Sequence, residues 1–267
     1  MPSANGFADF EAQGFVRVPG AFSRADAAAM EARVWAWLER KHGIRREAPA
    51  TWSVTKPTGL QGMKSHAVFH AIGGELLCAA LDALVGAGRW QRPRDWGGFL
   101  VTFPSGKPWA VPSHVWHTDF DFRGPADPPQ GALVFSFLSD VPPGAGGTLV
   151  VAGSHRLVAR FVATRPSAGR EKMKVTRTAL LASDPWLREL TSEEHAPDRS
   201  ERLMQRHALV AGIPVRVVEL AAGAGDVVIG HPWLLHAGAP NCGATPRIMR
   251  VQRVRLAAPA ISVASVM

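Results

Sequence analysis

The chain predicts a mainly β architecture, a sandwich or barrel with flanking helices. Three observations predict it. From Trp96 onward, short apolar runs are separated by Gly/Pro turns such as Gly124-Pro125, Pro142-Pro143-Gly144 and Gly146-Gly147, which suit antiparallel strands better than βαβ units. Before Trp96 the apolar spacing is helical. Between residues 156 and 212 the strand rhythm stops, which marks an insertion. At 267 residues, positions 1–267 read as one domain with a full core.

In order, residues 7–19 begin helically, and Gly14 to Val18 reads as a strand. Ser23 and Asp26 resemble a capping pair that opens a helix over 24–42, with Met30, Val34, Trp37, Leu38 and Lys41 on one stripe. Residues 44–73 are irregular. A second helix over 74–87 is stopped by Gly86 and Gly88. Strands are expected over Phe99–Phe103, within 109–122, over Ala132–Leu138, Thr148–Val151, Val215–Leu220 and Asp226–Ile229, and from Arg247 to Leu256. Inside the insertion, 156–177 is strongly basic and reads as a solvated loop. Asp184-Pro185 opens a helix with Pro in its first turn, and 198–209 is a second helical piece. Residues 257–267 read as a loose tail.

Composition narrows the function classes. No apolar run reaches the ~18 residues of a membrane span, and the N-terminus lacks a basic or apolar leader. Cys78 and Cys242 make neither a disulfide framework nor a metal pair, so a cytoplasmic setting is expected. Net charge is +8. The basic residues are dispersed, with no RNA-binding aromatic signature or zinc-finger spacing, so nucleic acid is a disfavoured partner.

The chemistry concentrates in Trp116-His117-Thr118-Asp119. On an extended chain, residues two apart share a face, so His117 and Asp119 aim an imidazole and a carboxylate at one point. A third ligand is available in His231-Pro232-Trp233-Leu234-Leu235-His236. Two histidines and one carboxylate form a facial triad that leaves open positions on iron(II) for a cosubstrate and oxygen. His236 is the preferred third ligand. His231 is its competitor and reads better as a hydrogen-bonded pocket or core histidine. Further on, Arg247 opens a strand with Met249 and Val251 on its face, where a guanidinium could take the distal carboxylate of 2-oxoglutarate bidentately. Arg250, Arg253 and Arg255 read as surface salt-bridge residues. Trp233 is a candidate substrate wall and Lys64 a candidate pocket charge.

His117-Thr118-Asp119, the Gly146 to His155 stretch, His236, Asn241 and Arg247, with the Phe15 to Phe22 opening, together resemble the phytanoyl-CoA dioxygenase family of iron(II)/2-oxoglutarate-dependent oxygenases. The resemblance covers most of 7–256 and is weakest in 156–212. It implies a double-stranded β-helix, a cupin-like jelly roll, behind N-terminal helices. It implies Fe(II), 2-oxoglutarate and O2 as the reacting set, and cosubstrate contacts at Thr118, Phe137 and Thr148. Thr118 stands where the family often has Gln, Phe137 where it has Trp, and Ala152 where Pro is usual. Related halogenases carry Gly or Ala at the position of Asp119, so a carboxylate there points to hydroxylation, desaturation or cyclisation. The expected substrate is a small organic molecule. The basic insertion would suit an anionic, CoA-bound or carrier-bound one. A metal-dependent cupin-type enzyme without 2-oxoglutarate and a non-catalytic binding module of the same fold are the alternatives. His155 reads as holding the Gly-Ser-His turn.

Overall fold

Most strands here carry apolar side chains on both faces, and the architecture gives each face a layer to pack on. The computed structural model describes residues 4–257 except Pro125, Pro166 and His195. The expected tail therefore lies almost wholly outside the described residues.

The chain opens with helix α1 (Ala4–Gln13), strand β1 (Phe15–Val18) and helix α2 (Arg24–His42). The Ser23 hydroxyl caps α2 by accepting from the Asp26 amide at 3.0 Å, and Gly43 closes it at φ 66°. The buried stripe of α2 is Ala27, Met30, Val34, Trp35 and Leu38. Trp37, expected on that stripe, is only half-buried, and Arg40 and Lys41 lie over its ring. Three short 3-10 turns lead to α3 (Glu75–Val85). The strands β2 (Gly98–Thr102), β3 (Gly131–Phe137) and β4 (Thr148–Ala152) follow. The insertion is α4 (Ser154–Ala163), α5 (Met173–Ala182), α6 (Pro185–Leu190), α7 (Arg199–Gln205) and a short strand β5 (Ala208–Val210). Strands β6 (Ile213–Leu220), β7 (Val227–Gly230), β8 (His236–Gly238) and β9 (Arg247–Arg255) complete the fold.

Two antiparallel sheets result, one ordered β1-β7-β3-β9-β2 and the other β5-β6-β4-β8. From β3 onward the chain passes repeatedly between them, as the expected jelly roll requires. Leu133, Phe135, Phe137, Val150, Leu220, Val228 and Met249 fill the space between the sheets. The outer face of the five-stranded sheet, with Val134, Ile229, Ile248 and Val254, packs on α2 and α3. The outer face of the other, with Leu149, Val151, Val215 and Val217, packs on the insertion helices. Alternation is therefore intact, with odd residues of β3 inward and even ones outward. It is hidden in the sequence because both sides are apolar. Each such side chain contributes about 1.5–3 kcal/mol on full burial.

The basic run 156–177 is largely helical rather than a loop. Leu157 and Val158 bury one face of α4, and Thr176 and Leu180 bury one face of α5. The opposite faces carry the charge. Asp184 caps α6 by accepting from Trp186 N at 2.8 Å, with Pro185 in the first turn as expected. The insertion is pinned by Arg199, which is 3% exposed. Its guanidinium donates to the carbonyls of Val111 at 2.6 Å, Leu190 at 2.7 Å and Glu189 at 3.1 Å. Ser200 Oγ accepts from Val111 N at 3.0 Å. The segment that leads to His117 is thus tied to α6 and α7.

Arg199→Leu leaves three carbonyls short of a partner in low dielectric, which should cost about 3 kcal/mol or more in urea denaturation. Amide exchange should rise across 109–118 and 186–203 before it rises in the sheets. Uniform exchange would show that Arg199 does not hold these segments together.

Candidate metal centre and its cavity

His117 and His236 come together through backbone geometry. Their peptide groups form an isolated antiparallel bridge, with His117 N donating to His236 O at 3.0 Å and His236 N donating to His117 O at 2.9 Å. A doubly bonded antiparallel pair projects its side chains to one face, and the two rings lie 4.2 Å apart at 48°. Asp119, two residues on, reaches the same point. Its Oδ1 is 3.9 Å from His117 Nε2 and its Oδ2 is 3.6 Å from His236 Nε2. One ligand atom from each of the three lies within 4.8 Å of the others.

The outer nitrogens fix the tautomers. His117 Nδ1 sits 2.7 Å from Val115 O, and His236 Nδ1 sits 3.0 Å from Leu234 O. Each Nδ1–H donates to a carbonyl, leaving each Nε2 turned toward Asp119, the arrangement of metal-binding histidines. The Val115 carbonyl is aimed by an unusual backbone, since Val115 has φ 63°. Burial holds His117 below the usual imidazole range, and the charge of His236 adds to the effect. At Asp119 burial opposes ionisation, but it is outweighed by the hydrogen bond and charge of His236, then by Arg253 and His117. The carboxyl is pushed down to about 2. Two imidazoles and one carboxylate are a donor set suited to iron(II).

The three ligands open onto a cavity of about 450 Å³. Leu100, Phe135 and Val251 give it apolar walls, and Thr102, Thr148 and Arg247 lie in it as well. Arg247 is 5% exposed. Its Nη2 donates to Thr102 Oγ1 at 2.9 Å, while its buried Nε and Nη1 find no partner. Burial pushes this guanidinium down to about 10, with Glu219 opposing, so it stays charged at neutral pH.

The other sequence candidates lie elsewhere. Thr118 alternates away from the cavity, and its hydroxyl donates to Phe120 O at 3.3 Å. Phe137 is buried in the core between the sheets, two residues beyond the cavity-lining Phe135. Trp233 packs under the insertion and donates from Nε1 to Asp121 O at 2.8 Å. Lys64 pairs with Asp95 at 3.7 Å in a neighbouring groove. His231 precedes the point where the chain leaves β7 for the other sheet. Its ring stacks 4.9 Å from that of His155, and its Nε2 lies 3.1 Å from Ala126 O. Burial lowers both of these histidines, to about 4 and about 3, so they are neutral at physiological pH. His155 ties α4 to α1 through Glu11 O at 3.1 Å, while the adjacent Ser154 hydroxyl supports the turn by accepting from Leu235 N.

Two residues escaped the sequence reading. Arg253 donates to Asp119 Oδ1 at 2.9 Å. Its place on the face of Arg247 and Val251 was the available signal. Arg250 is fully buried rather than on the surface. Its guanidinium lies 4.4 Å from the Phe69 centroid and 4.6 Å from that of Phe99, and it donates to the carbonyls of Gly97 and Lys64.

A jelly roll with a His-x-Asp pair and a distant histidine on its inner face defines a non-haem metal enzyme. The chain belongs to the phytanoyl-CoA dioxygenase family (PhyH), whose model matches residues 10–249, and is thereby an iron(II)/2-oxoglutarate-dependent enzyme. Among solved structures it is similar to the non-heme alpha ketoglutarate dependent carbocyclase SnoK from nogalamycin biosynthesis. Identity is 16%, with 95% of this chain and 83% of that one covered and a TM-score of 0.53. HygX from Streptomyces hygroscopicus, with nickel and 2-oxoglutarate bound, is 16% identical over 95% of this chain and 86% of that one, TM-score 0.52. The epimerase SnoN, in complex with Fe3+, alpha ketoglutarate and nogalamycin RO, is 18% identical over 94% and 82%, TM-score 0.51. These likenesses establish the shared fold. No curated protein is significantly similar in sequence. No single described helix is long and apolar enough to cross a membrane.

The shifts set the sign of a pH dependence. Ligation needs His117 neutral and Asp119 ionised. Because burial lowers His117 in the fold, its ligating nitrogen should stay free of a proton as pH falls through ~6.5, the ordinary imidazole value. Stability follows the same linkage. The unfolded chain takes up the His117 proton near ~6.5 while the folded chain resists, so stability falls as pH drops from there. The Asp119 contribution, full above the unfolded value of ~3.9, is lost as pH falls toward 2. Urea denaturation across pH tests this; stability that does not fall as pH drops below ~6.5 contradicts it.

Proposed function

We propose that His117, Asp119 and His236 hold iron(II), and that Arg247 receives the far carboxylate of 2-oxoglutarate. The substrate is a small organic molecule that the enzyme hydroxylates, desaturates or cyclises. The observation that carries this reading is the pair of unpartnered buried nitrogens on Arg247, in the same cavity as the three ligands. A buried guanidinium without an anion is costly. A bidentate carboxylate supplies both the missing charge and the missing acceptors. A cupin-type enzyme without 2-oxoglutarate, or a binding module, would leave that charge unexplained.

Bound there, iron(II) and 2-oxoglutarate supply the oxidising power for attack on a C–H bond, with succinate and carbon dioxide as coproducts. The protein's own groups do the rest. The carbonyls of Val115 and Leu234 hold the imidazoles in the ligating tautomer. Thr102 steadies Arg247, and Thr148 stands beside it as a further polar contact for the cosubstrate. Leu100, Phe135 and Val251 exclude water around the reacting carbon. The carboxylate of Asp119 takes the place that a halide would need, which favours oxygenation. A small-molecule substrate is supported by the fold's likeness to SnoN, whose complex holds nogalamycin RO. We infer an anionic substrate, free or as a CoA or carrier thioester, from the positive balance of the chain. Two free cysteines fit a cytoplasmic setting.

With added iron(II), the protein should convert 2-oxoglutarate to succinate and carbon dioxide, and Asp119→Ala should abolish turnover. Arg247→Ala should raise the 2-oxoglutarate KM by roughly 100-fold, the scale for truncating one side of a buried charge pair. An unchanged KM would remove the cosubstrate assignment. Full turnover by Asp119→Ala would remove the metal assignment.

A further inference from the structure

The metal cavity does not end at Asp119. Arg253, which touches that carboxylate, also lines two adjoining spaces of about 360 Å³ and 320 Å³. Together they form a groove between the outer end of β9 and the 91–97 segment. Five cations line it, namely Lys64, Arg92, Arg94, Arg253 and Arg255, against two acids, Asp95 and, at the junction with the metal cavity, Asp119. Three of the five are already engaged. Lys64 pairs with Asp95, Arg92 donates to Gly73 O at 2.6 Å, and Arg253 donates to Asp119. The side chains of Arg94 and Arg255 have no partner among the described residues, nor has that of Lys56 at the mouth of the metal cavity.

The groove is also rigid. Arg253 and Arg255 stand on β9 opposite Leu133 and Gly131 of β3. On its other side β9 loses β2 beyond Val251, and the gap is closed further along by Gln91 N donating to Arg255 O at 2.9 Å. Gly97 passes so close to β9 that a Cβ there would sit 1.9 Å from Val251 O, and the buried Arg250 grips its carbonyl. Guanidiniums gathered along one groove repel, and an oxyanion placed between them relieves the repulsion while accepting from several N–H groups at once. The backbone holds the groove open beforehand, so the ordering cost of binding falls on the arginine side chains alone.

We propose that this groove is an oxyanion subsite for the substrate, with Arg94 and Arg255 as its main donors and Arg253 at its junction with the metal cavity. The ligand is a phosphate or carboxylate group borne by the molecule to be oxidised. Arg247 and Arg253 lie six residues apart on one strand face, about 20 Å. The cosubstrate's carboxylate and the substrate's oxyanion are thus held at opposite ends of β9, with the reacting carbon between them. Calling the bound molecule a substrate rests on the oxygenase reading above; the anion site itself does not.

The test is calorimetric titration of the full chain, without added metal and at low ionic strength, with inorganic phosphate and separately with acetate. The wild type should bind phosphate saturably. Arg94→Ala/Arg255→Ala should weaken binding at least about 10-fold, Arg94→Glu/Arg255→Glu should abolish it, and Arg247→Ala should retain it. Affinity should fall as salt is added. Acetate binding tighter than phosphate assigns the group as a carboxylate; the reverse assigns a phosphate. Absence of saturable binding, binding equal in both double variants, or loss confined to Arg247→Ala overturns the subsite. Arg94 and Arg255 are exposed, and unchanged thermal melts would confirm that the variants fold. Iron(II) binding, measured separately, distinguishes the two proposals. Iron without phosphate binding removes only the subsite, and phosphate without iron binding removes only the oxygenase reading.

Discussion

Two backbone hydrogen bonds between His117 and His236 organise everything else at the site. They join residues far apart in the chain at one bonded pair, and such a pair has only one outcome for its side chains, since both go to the same face. Asp119 follows by the two-residue period of extended chain. The ligand set is therefore fixed by peptide geometry rather than by side-chain choice. The neighbouring segments exist to hold that pair. Arg199 clamps the approach to His117, and Ser154 accepts from Leu235 N just before His236. The first half-site is braced by the insertion and the second by the β4–α4 corner.

Charge is arranged around that pair as firmly as the backbone. Asp119 is buried yet ionised because it faces two imidazoles and Arg253. Arg247, deeper in, stays charged, with Thr102 as its one side-chain hydrogen-bond partner among the described residues and the charge of Glu219 in support. A buried cation with idle donors is unfavourable unless something anionic completes it. On the reading proposed above, the anion that completes it carries metal-binding oxygens at its other end, as 2-oxoglutarate does.

Much of this was legible in the sequence. His-x-Asp, a later histidine and an arginine beyond it carry their own spacing logic, and the Gly/Pro punctuation gave the β class. What stayed hidden was hidden for physical reasons. His231 and Trp233 sit close to His236 in sequence, but the chain leaves one sheet for the other across Pro232-Trp233-Leu234-Leu235, so nearness in sequence did not become nearness in space. The run 156–177 looked like solvated loop because seven of its residues are basic and only one is acidic. Leu157 with Phe161, and Val158 with Val162, keep the four-residue spacing of a helix face, and that signal was available. Arg199 left no signal, because nothing in its surroundings distinguishes a buried arginine that feeds three carbonyls from a solvated one.

Strand β9 shows what decides an arginine's fate. It carries Arg247, Arg250, Arg253 and Arg255 in nine residues, and composition cannot tell them apart. Parity and depth can. Odd positions face the space between the sheets, so Arg247 falls at its closed end and Arg253 and Arg255 at its mouth. The even position, Arg250, faces the helical layer, where Phe69 and Phe99 accept its charge on their ring faces. From there it holds the carbonyls of Gly97 and Lys64, the wall facing Arg253 and Arg255. The arginine on the wrong side of the strand to meet any substrate thus fixes the groove in which the other two stand.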